Sequence, residues 1–227
     1  MSFLDARFVV PSYEGPALKH RRVVDVKDKP AAAVAIEVPQ ELARPVVSSD
    51  DVREVVISIV VHLFGLIGIG EERSEASGDE DVADMAASRE EALRIFNCQE
   101  APTIELGDYV WRLVRYTDAW AGTDGVGGAG LRCALMAVEY LDRAASNGVY
   151  LTLNNVHRLF MVAVLEAAKW SEDVIISNAF FAQVAGIELH ELNAIEAVFC
   201  SEVLDWKLSV SRDRLREQGS RFAQPQF

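Results

Sequence analysis

The sequence predicts an all-α bundle, and three features of residues 151–203 carry that prediction. First, Val156, Leu159, Phe160, Ala163, Val164, Ala167 and Ala168 recur at three and four, while Met161, Val162 and Leu165 make the remaining faces apolar too. A helix apolar nearly all round has to be surrounded by other helices. Second, the alanines at 163, 167 and 168 take bulk off one side, so a neighbouring helix approaches closely without leaving a cavity. Third, Gly186 suits a left-handed helix stop, and after it a helix over 188–204 buries Leu189, Leu192, Ile195, Phe199 and Val203.

The remaining elements follow in chain order. Residues 1–47 hold five of the seven prolines and no sustained apolar period, which predicts an extended or disordered tail. Its KHRR at 19–22 fits a targeting or docking patch, but one short basic cluster is more often solvated tail. Ser48 or Ser49 caps a helix through 68 with Val52, Val55, Val56, Ile59, Val60, Leu63, Phe64 and Ile67 at helical spacing, a stripe that predicts docking onto the bundle. The apolar run 55–69 contains His62 and falls short of the roughly 18 to 20 residues a bilayer requires, so no membrane span is expected. An acidic linker at 71–84 is too charged to pack, and Ser88 with Glu91 forms a capping box for a short helix to 97. The few apolar residues there, Leu93, Ile95 and Phe96, predict that it rests on the bundle surface.

Pro102 and Thr103 introduce a helix whose inner face is Leu106, Tyr109, Val110, Leu113 and Val114. The loop that follows spells G-x-G-x-x-G with Gly125, Gly127 and Gly130. A dinucleotide site needs a strand before that loop, and a phosphate loop needs Lys-Ser or Lys-Thr after it. Neither is present, so the segment reads as a connection between helices. The next helix, 131–145, turns Leu131, Leu135, Val138 and Leu141 inward. Thr152 is the expected cap of the core helix, which runs to about 170. Beyond 204, Trp206, Leu208 and Val210 cover the end of the bundle, and Ser211 caps a last short helix that Gly219 stops.

Half of the 227 residues are hydrophobic, enough for a sizeable core, and the net charge of −13 opposes non-specific nucleic-acid binding, which needs clustered Lys and Arg. Cys98, Cys133 and Cys200 are widely spaced, make no metal template and leave one over in any disulfide scheme, which points to a reducing cytoplasmic or nuclear setting. The four histidines lack ligand spacing, and no Cys or Ser has an evident base, so neither catalysis, metal nor cofactor is expected. A binding module is what remains. Two charges are oddly placed for a bare bundle. Lys169 ends the most apolar helix, where the exposed carbonyls favour a cation, and fits either a solvated cap or a contact residue. Glu196 is flanked by Ile195, Ala197, Val198 and Phe199 and needs a partner or water.

Four motifs stand in register: YLDR at 140–143, HRL at 157–159, AAKW at 167–170 and ELNAIE at 191–196. In this order and spacing, over 101–208, they resemble the cyclin box, specifically that of the single-box P/U-type (phosphate-pathway-type) cyclins. Ala185, in place of the first of two usual glycines, and Glu188, in place of a capping Ser or Thr, depart from the pattern. The resemblance implies a five-helix box at 101–208, an added N-terminal helix, linker and short helix at 48–100 packed on it, and a short C-terminal helix and tail at 209–227. It implies a regulatory subunit, not an enzyme, that binds and activates a cyclin-dependent protein kinase, with kinase substrates docked as well. Kinase binding would carry to Lys169 and Glu196, through hydrogen bonds to the kinase backbone, with Trp170 and Cys200 in the same set. The family also pairs an arginine of the first box helix with the aspartate of the YLDR-like motif, which implies a structural salt bridge between Arg112 and Asp142. An Asp108–Arg112 pair four residues apart is the local alternative. A cyclin-fold adaptor for a non-kinase partner is the other functional reading.

Overall fold

The helix that is apolar on every face is the one the others enclose. In the computed structural model, which describes residues 49–74, 89–98, 102–122 and 128–222, that helix is α4 (Val156–Ser171). Its residues from Leu159 to Ala168 are all buried, the alanines included. Packed on it or on its neighbours, in chain order, are α1 (Ser49–Ser74), α2 (Leu106–Ala121), α3 (Ala129–Ser146), α5 (Asn178–Ala185), α6 (Leu189–Val198) and α7 (Arg212–Phe222). No β-strand occurs among the described residues. The chain divides into two units, 1–43 and 44–227; the first lies wholly outside the described residues, as do Ser88, Gly125, Gly127 and the linker beyond Ser74.

Helices α2 to α6 make the five-helix box. The closest packing is of α3 on α4 and of α2 on α3, and Gly130 explains the second. A Cβ at Gly130 would lie 2.1 Å from the backbone oxygen of Val114, so only glycine lets α3 cross α2 at this depth. Its N–H donates to Asp118 Oδ1 at 2.8 Å, which satisfies one of the free donors of α3's first turn from across the interface. The third glycine of the loop is thus a packing residue.

Several boundaries differ from the sequence reading. The core helix starts at Val156, not after Thr152, because Asn155 turns its side chain back: Oδ1 accepts from the Thr152 N–H at 2.8 Å and Nδ2 donates to the Tyr150 carbonyl at 3.1 Å. The NAFFAQVA segment is a helix of its own, capped by Ser177, whose Oγ accepts from the Phe180 N–H at 3.2 Å, and stopped by Gly186 at φ 76°. After Val198, α6 loosens into a π-turn, Phe199–Val203. Leu189 of its expected stripe is exposed, while Leu192, Ile195, Phe199 and Val203 are buried.

Helix α1 runs to Ser74, beyond the expected end at 68, and packs against α2, α3 and α7. Val52, Val55, Val56, Ile59, Leu63 and Ile67 are buried as expected, but Phe64 is exposed together with Ile57, Val61 and Ile69. The window Val52–Ile69 has a mean hydropathy of 2.0 over 18 residues and is long and apolar enough, by length and composition, to cross a membrane. The expectation of a run too short to span is corrected on that point, since taking in Val52 with the charges at 53 and 54 still leaves the average high. In this structure the inner face of that window packs on the box. Before the box, Phe96, in the 3-10 turn Arg94–Phe96, is buried edge-on against Phe199, 6.3 Å between ring centres. At the other end Leu208 and Val210 are half-buried, but Trp206 is exposed and covers nothing. Ser211 does cap α7, accepting from the Arg214 N–H at 3.2 Å, yet the helix continues through Gly219 because Gln218 and Phe222 are both buried against the bundle.

Candidate functional site

Two ion pairs stitch α4 to α6, and both use the motif residues. Arg158 of HRL donates to Glu191 of ELNAIE and, through Nη1, to the Ile95 carbonyl at 2.7 Å. Three turns further along α4, Lys169 Nζ donates to Glu196 Oε1. The first pair lies under the segment that precedes the box. The second lies at the rim, with about a quarter of each side chain exposed.

The rim pair is part of a larger cluster. Glu196 Oε2 accepts from Asn178 Nδ2, at the start of α5, and the same amide donates to Asn193 Oδ1 at 2.8 Å. Beneath it, Glu166 is buried one turn before Lys169, with Oε1 3.8 Å from Lys169 Nζ and Oε2 accepting from the Cys200 thiol at 3.4 Å. Cys200 sits on the π-turn, a geometry that re-aims side chains and recurs at functional positions. Burial pushes the Glu166 carboxyl up to about 7, with Lys169 pulling it down and Glu196 pushing it further up. Burial also raises Glu196, but the hydrogen bonds from Lys169 and Asn178 prevail and hold it below the usual carboxylate range. The Cys200 thiol is pushed up to about 12 by burial and by the Glu166 charge, so it stays protonated and donates.

The expected binding residues therefore meet in one place. Lys169, Glu196 and Cys200 belong to one hydrogen-bonded cluster, and Trp170, 56% exposed, stands at its edge. Val174 and Ile175 follow in the next loop, also exposed, so a charged pair and three large apolar side chains occupy one end of α4. The sequence reading missed Glu166, Asn178, Val174 and Ile175. Glu166 carried a signal, being the one carboxylate in the apolar run 156–168 and three residues before Lys169. Asn178 carried none, because only the α5–α6 contact brings it over Glu196.

The pairing of Arg112 with Asp142 is corrected by the structure. Asp142 Oδ1 lies 2.8 Å from His62 Nε2 of α1, and Oδ2 accepts from Gln218 Nε2 of α7 at 3.4 Å. Arg112 forms no ion pair among the described residues, with Asp142 or with Asp108; its guanidinium stands 5.8 Å from the Tyr116 ring centre. The reason is the added helix: α1 lies on α3 and brings His62 to the aspartate. The other YLDR residues also serve architecture. Tyr140 donates to the Leu208 carbonyl at 2.6 Å, and Arg143 to the carbonyls of Lys207 and Ser209 at 2.9 and 3.1 Å, which ties down the strap between α6 and α7.

Comparison with known proteins agrees with this geometry. The family described as Cyclin matches residues 53–208, which takes in most of α1 as well as the five box helices. Among curated proteins, Cyclin-U2-1 of Arabidopsis thaliana is 34% identical over 52% of this chain and 49% of its own length. Cyclin-P4-1 of Oryza sativa subsp. japonica is 33% identical over 66% of this chain and 65% of its own. The PHO85 cyclin-like protein psl1 of Schizosaccharomyces pombe is 29% identical over 71% of this chain and 63% of its own. The matches thus span from about half to two thirds of these relatives' own length.

Proposed function

Because the chain belongs to the cyclin family, among the P/U-type cyclins, we propose that it is a regulatory subunit that docks on and activates a cyclin-dependent protein kinase and catalyses nothing itself. Lys169 and Glu196 support this reading most directly: a complementary ion pair held on two neighbouring helices at the rim of the box, beside the exposed Trp170. An ammonium and a carboxylate so placed match a backbone carbonyl and a backbone N–H at the end of a partner's helix. A rigid bundle that binds the kinase's mobile helix only in its active position shifts the kinase toward that state by differential affinity. The active position is the one that brings the kinase's helix glutamate to its phosphate-binding lysine. The kinase acts in the cytoplasm or nucleus on substrates that dock to the complex.

Recovery of partners by the tagged full-length chain, followed by titration of the recovered kinase, tests this. Truncating one member of a charged, hydrogen-bonded pair at an interface costs about 2–5 kcal/mol. Lys169→Ala and Glu196→Ala should each weaken binding by about 30-fold or more and abolish activation at limiting cyclin, with smaller losses in stability because neither side chain fills core volume. Folded variants that activate the kinase like the parent would remove the role assigned to the pair. The outward face of α1, with Ile57, Val61 and Phe64 exposed, favours a second reading, an adaptor that assembles through this helix. The same recovery experiment decides between them, since an adaptor returns partners without kinase activity.

A further inference from the structure

Glu166 has no part in the binding reading, yet it is the most buried carboxylate beside the rim pair, and its Oε1 lacks a hydrogen-bond partner among the described residues. An unpaired buried oxygen of an ionised carboxylate is costly. A proton resolves it, because a neutral carboxyl leaves no charge to bury and its O–H becomes a donor. We propose that Glu166 is the positioning residue of the binding surface, and that its carboxyl takes up a proton from solvent when a partner draws Lys169 away from it. This rests on the reading of Lys169 and Glu196 as partner-binding residues.

The groups facing Glu166 decide the direction. On its own helix, Lys169 is the cation that favours the charged form. From α6 and its π-turn come Glu196, which favours the neutral form, and the Cys200 thiol, which donates. From α3 comes Tyr140, whose hydroxyl is kept neutral by burial and is committed to the Leu208 carbonyl. When a partner carbonyl takes Lys169 Nζ and the partner covers the rim, the one attraction to the charged form weakens and burial deepens. Both changes favour the protonated carboxyl. With Glu166 near 7 in the free chain and higher in the complex, binding is full below about pH 7 and falls as pH rises through and beyond it. While Glu166 stays ionised it holds Lys169 back, so it sets how readily the amine is released.

The test is calorimetric titration of the full-length chain with the kinase it recovers, from pH 6 to 8.5, in two buffers of different protonation enthalpy. The parent should lose about tenfold in affinity per pH unit above 7, with uptake of about one proton per complex near pH 8. Glu166→Gln, neutral and nearly the same shape, should bind with little pH dependence, take up no proton and equal or exceed the parent at pH 8. In the free chain the melting-temperature advantage of Glu166→Gln over the parent should widen from pH 5 to 8, because a raised carboxyl destabilises the fold only where it must ionise. A parent affinity that is flat across the range, or a slope retained by Glu166→Gln, overturns the proposal. If Lys169→Ala weakens binding while the slope is missing, only this inference fails; if Lys169→Ala changes nothing, or no kinase is recovered, the binding reading fails and this one with it.

Discussion

Asp142 accepts from donors on two other helices, α1 and α7, and a second residue of α7 completes the chain. Arg221 Nη2 lies 3.1 Å from His62 Nδ1 while His62 Nε2 faces Asp142. A guanidinium only donates, so Nδ1 is the accepting nitrogen and the ring proton sits on Nε2, pointing at the carboxylate. Asp142→Ala leaves the His62 N–H without its acceptor and the Gln218 amide with Glu139 alone, at a cost of about 1–3 kcal/mol. For a domain of this size that is a drop of roughly 3–10 °C in melting temperature. Arg112→Ala removes no ion pair among the described residues and should cost less than about 1 kcal/mol. Calorimetric melting of the two single variants and the double variant checks this: equal losses that fail to add would restore a pairing of Arg112 with Asp142. The sequence could not decide the matter, because periodicity states which side of a helix is apolar and not which neighbour covers it. Lys169 and Glu196 were legible because each is a charge out of place in an apolar setting. Glu166 was equally out of place and hidden only by the strength of the surrounding stripe.

Among the elements, those with a long apolar period were legible to within a few residues, and the ends that depended on side-chain direction were not. Thr152 was the expected cap, but the amide of Asn155 turns backward and α4 starts at Val156. Gly219 looked like a stop, but two buried side chains beyond α7's middle carried the helix past it. Gly130 read as loop because Gly125, Gly127 and Gly128 stand just before it, whereas its tight contact is with α2, sixteen residues back. That contact gives a sharp expectation. The obstacle to a methyl group at 130 is main chain, which cannot rotate away, so Gly130→Ala forces α3 off α2 and should cost about 3 kcal/mol or more, at the upper end of overpacking effects. Chemical denaturation measures it; a loss under about 1 kcal/mol would mean that the crossing of α2 and α3 is looser than described.

For the molecule as a whole, the box does not end where the four motifs end. Six apolar side chains of α1 are buried, and the family match begins at Arg53, within that helix. At roughly 1.5–3 kcal/mol for each buried side chain, they contribute on the order of 10 kcal/mol, as much as the net stability of a typical domain. A chain beginning at residue 89 should therefore lose its cooperative thermal transition, whereas an independently folding box would melt sharply without α1.

The contact between His62 and Arg221 has a consequence for how the chain is made. The two residues stand 159 positions apart, and α7 is the last described helix to be synthesised. At about 5–20 residues per second, α1 waits on the order of ten to thirty seconds between leaving the ribosome and meeting α7. During that interval an 18-residue apolar window lies without its final cover. In the sequence, Asp50 and Asp51 before the window and Glu71 and Glu72 after it outweigh Arg53 and Arg73, so both flanks are net negative. Nascent chains that meet in a polysome present those like charges to one another, and the repulsion guards an aggregation-prone segment until its own fold arrives.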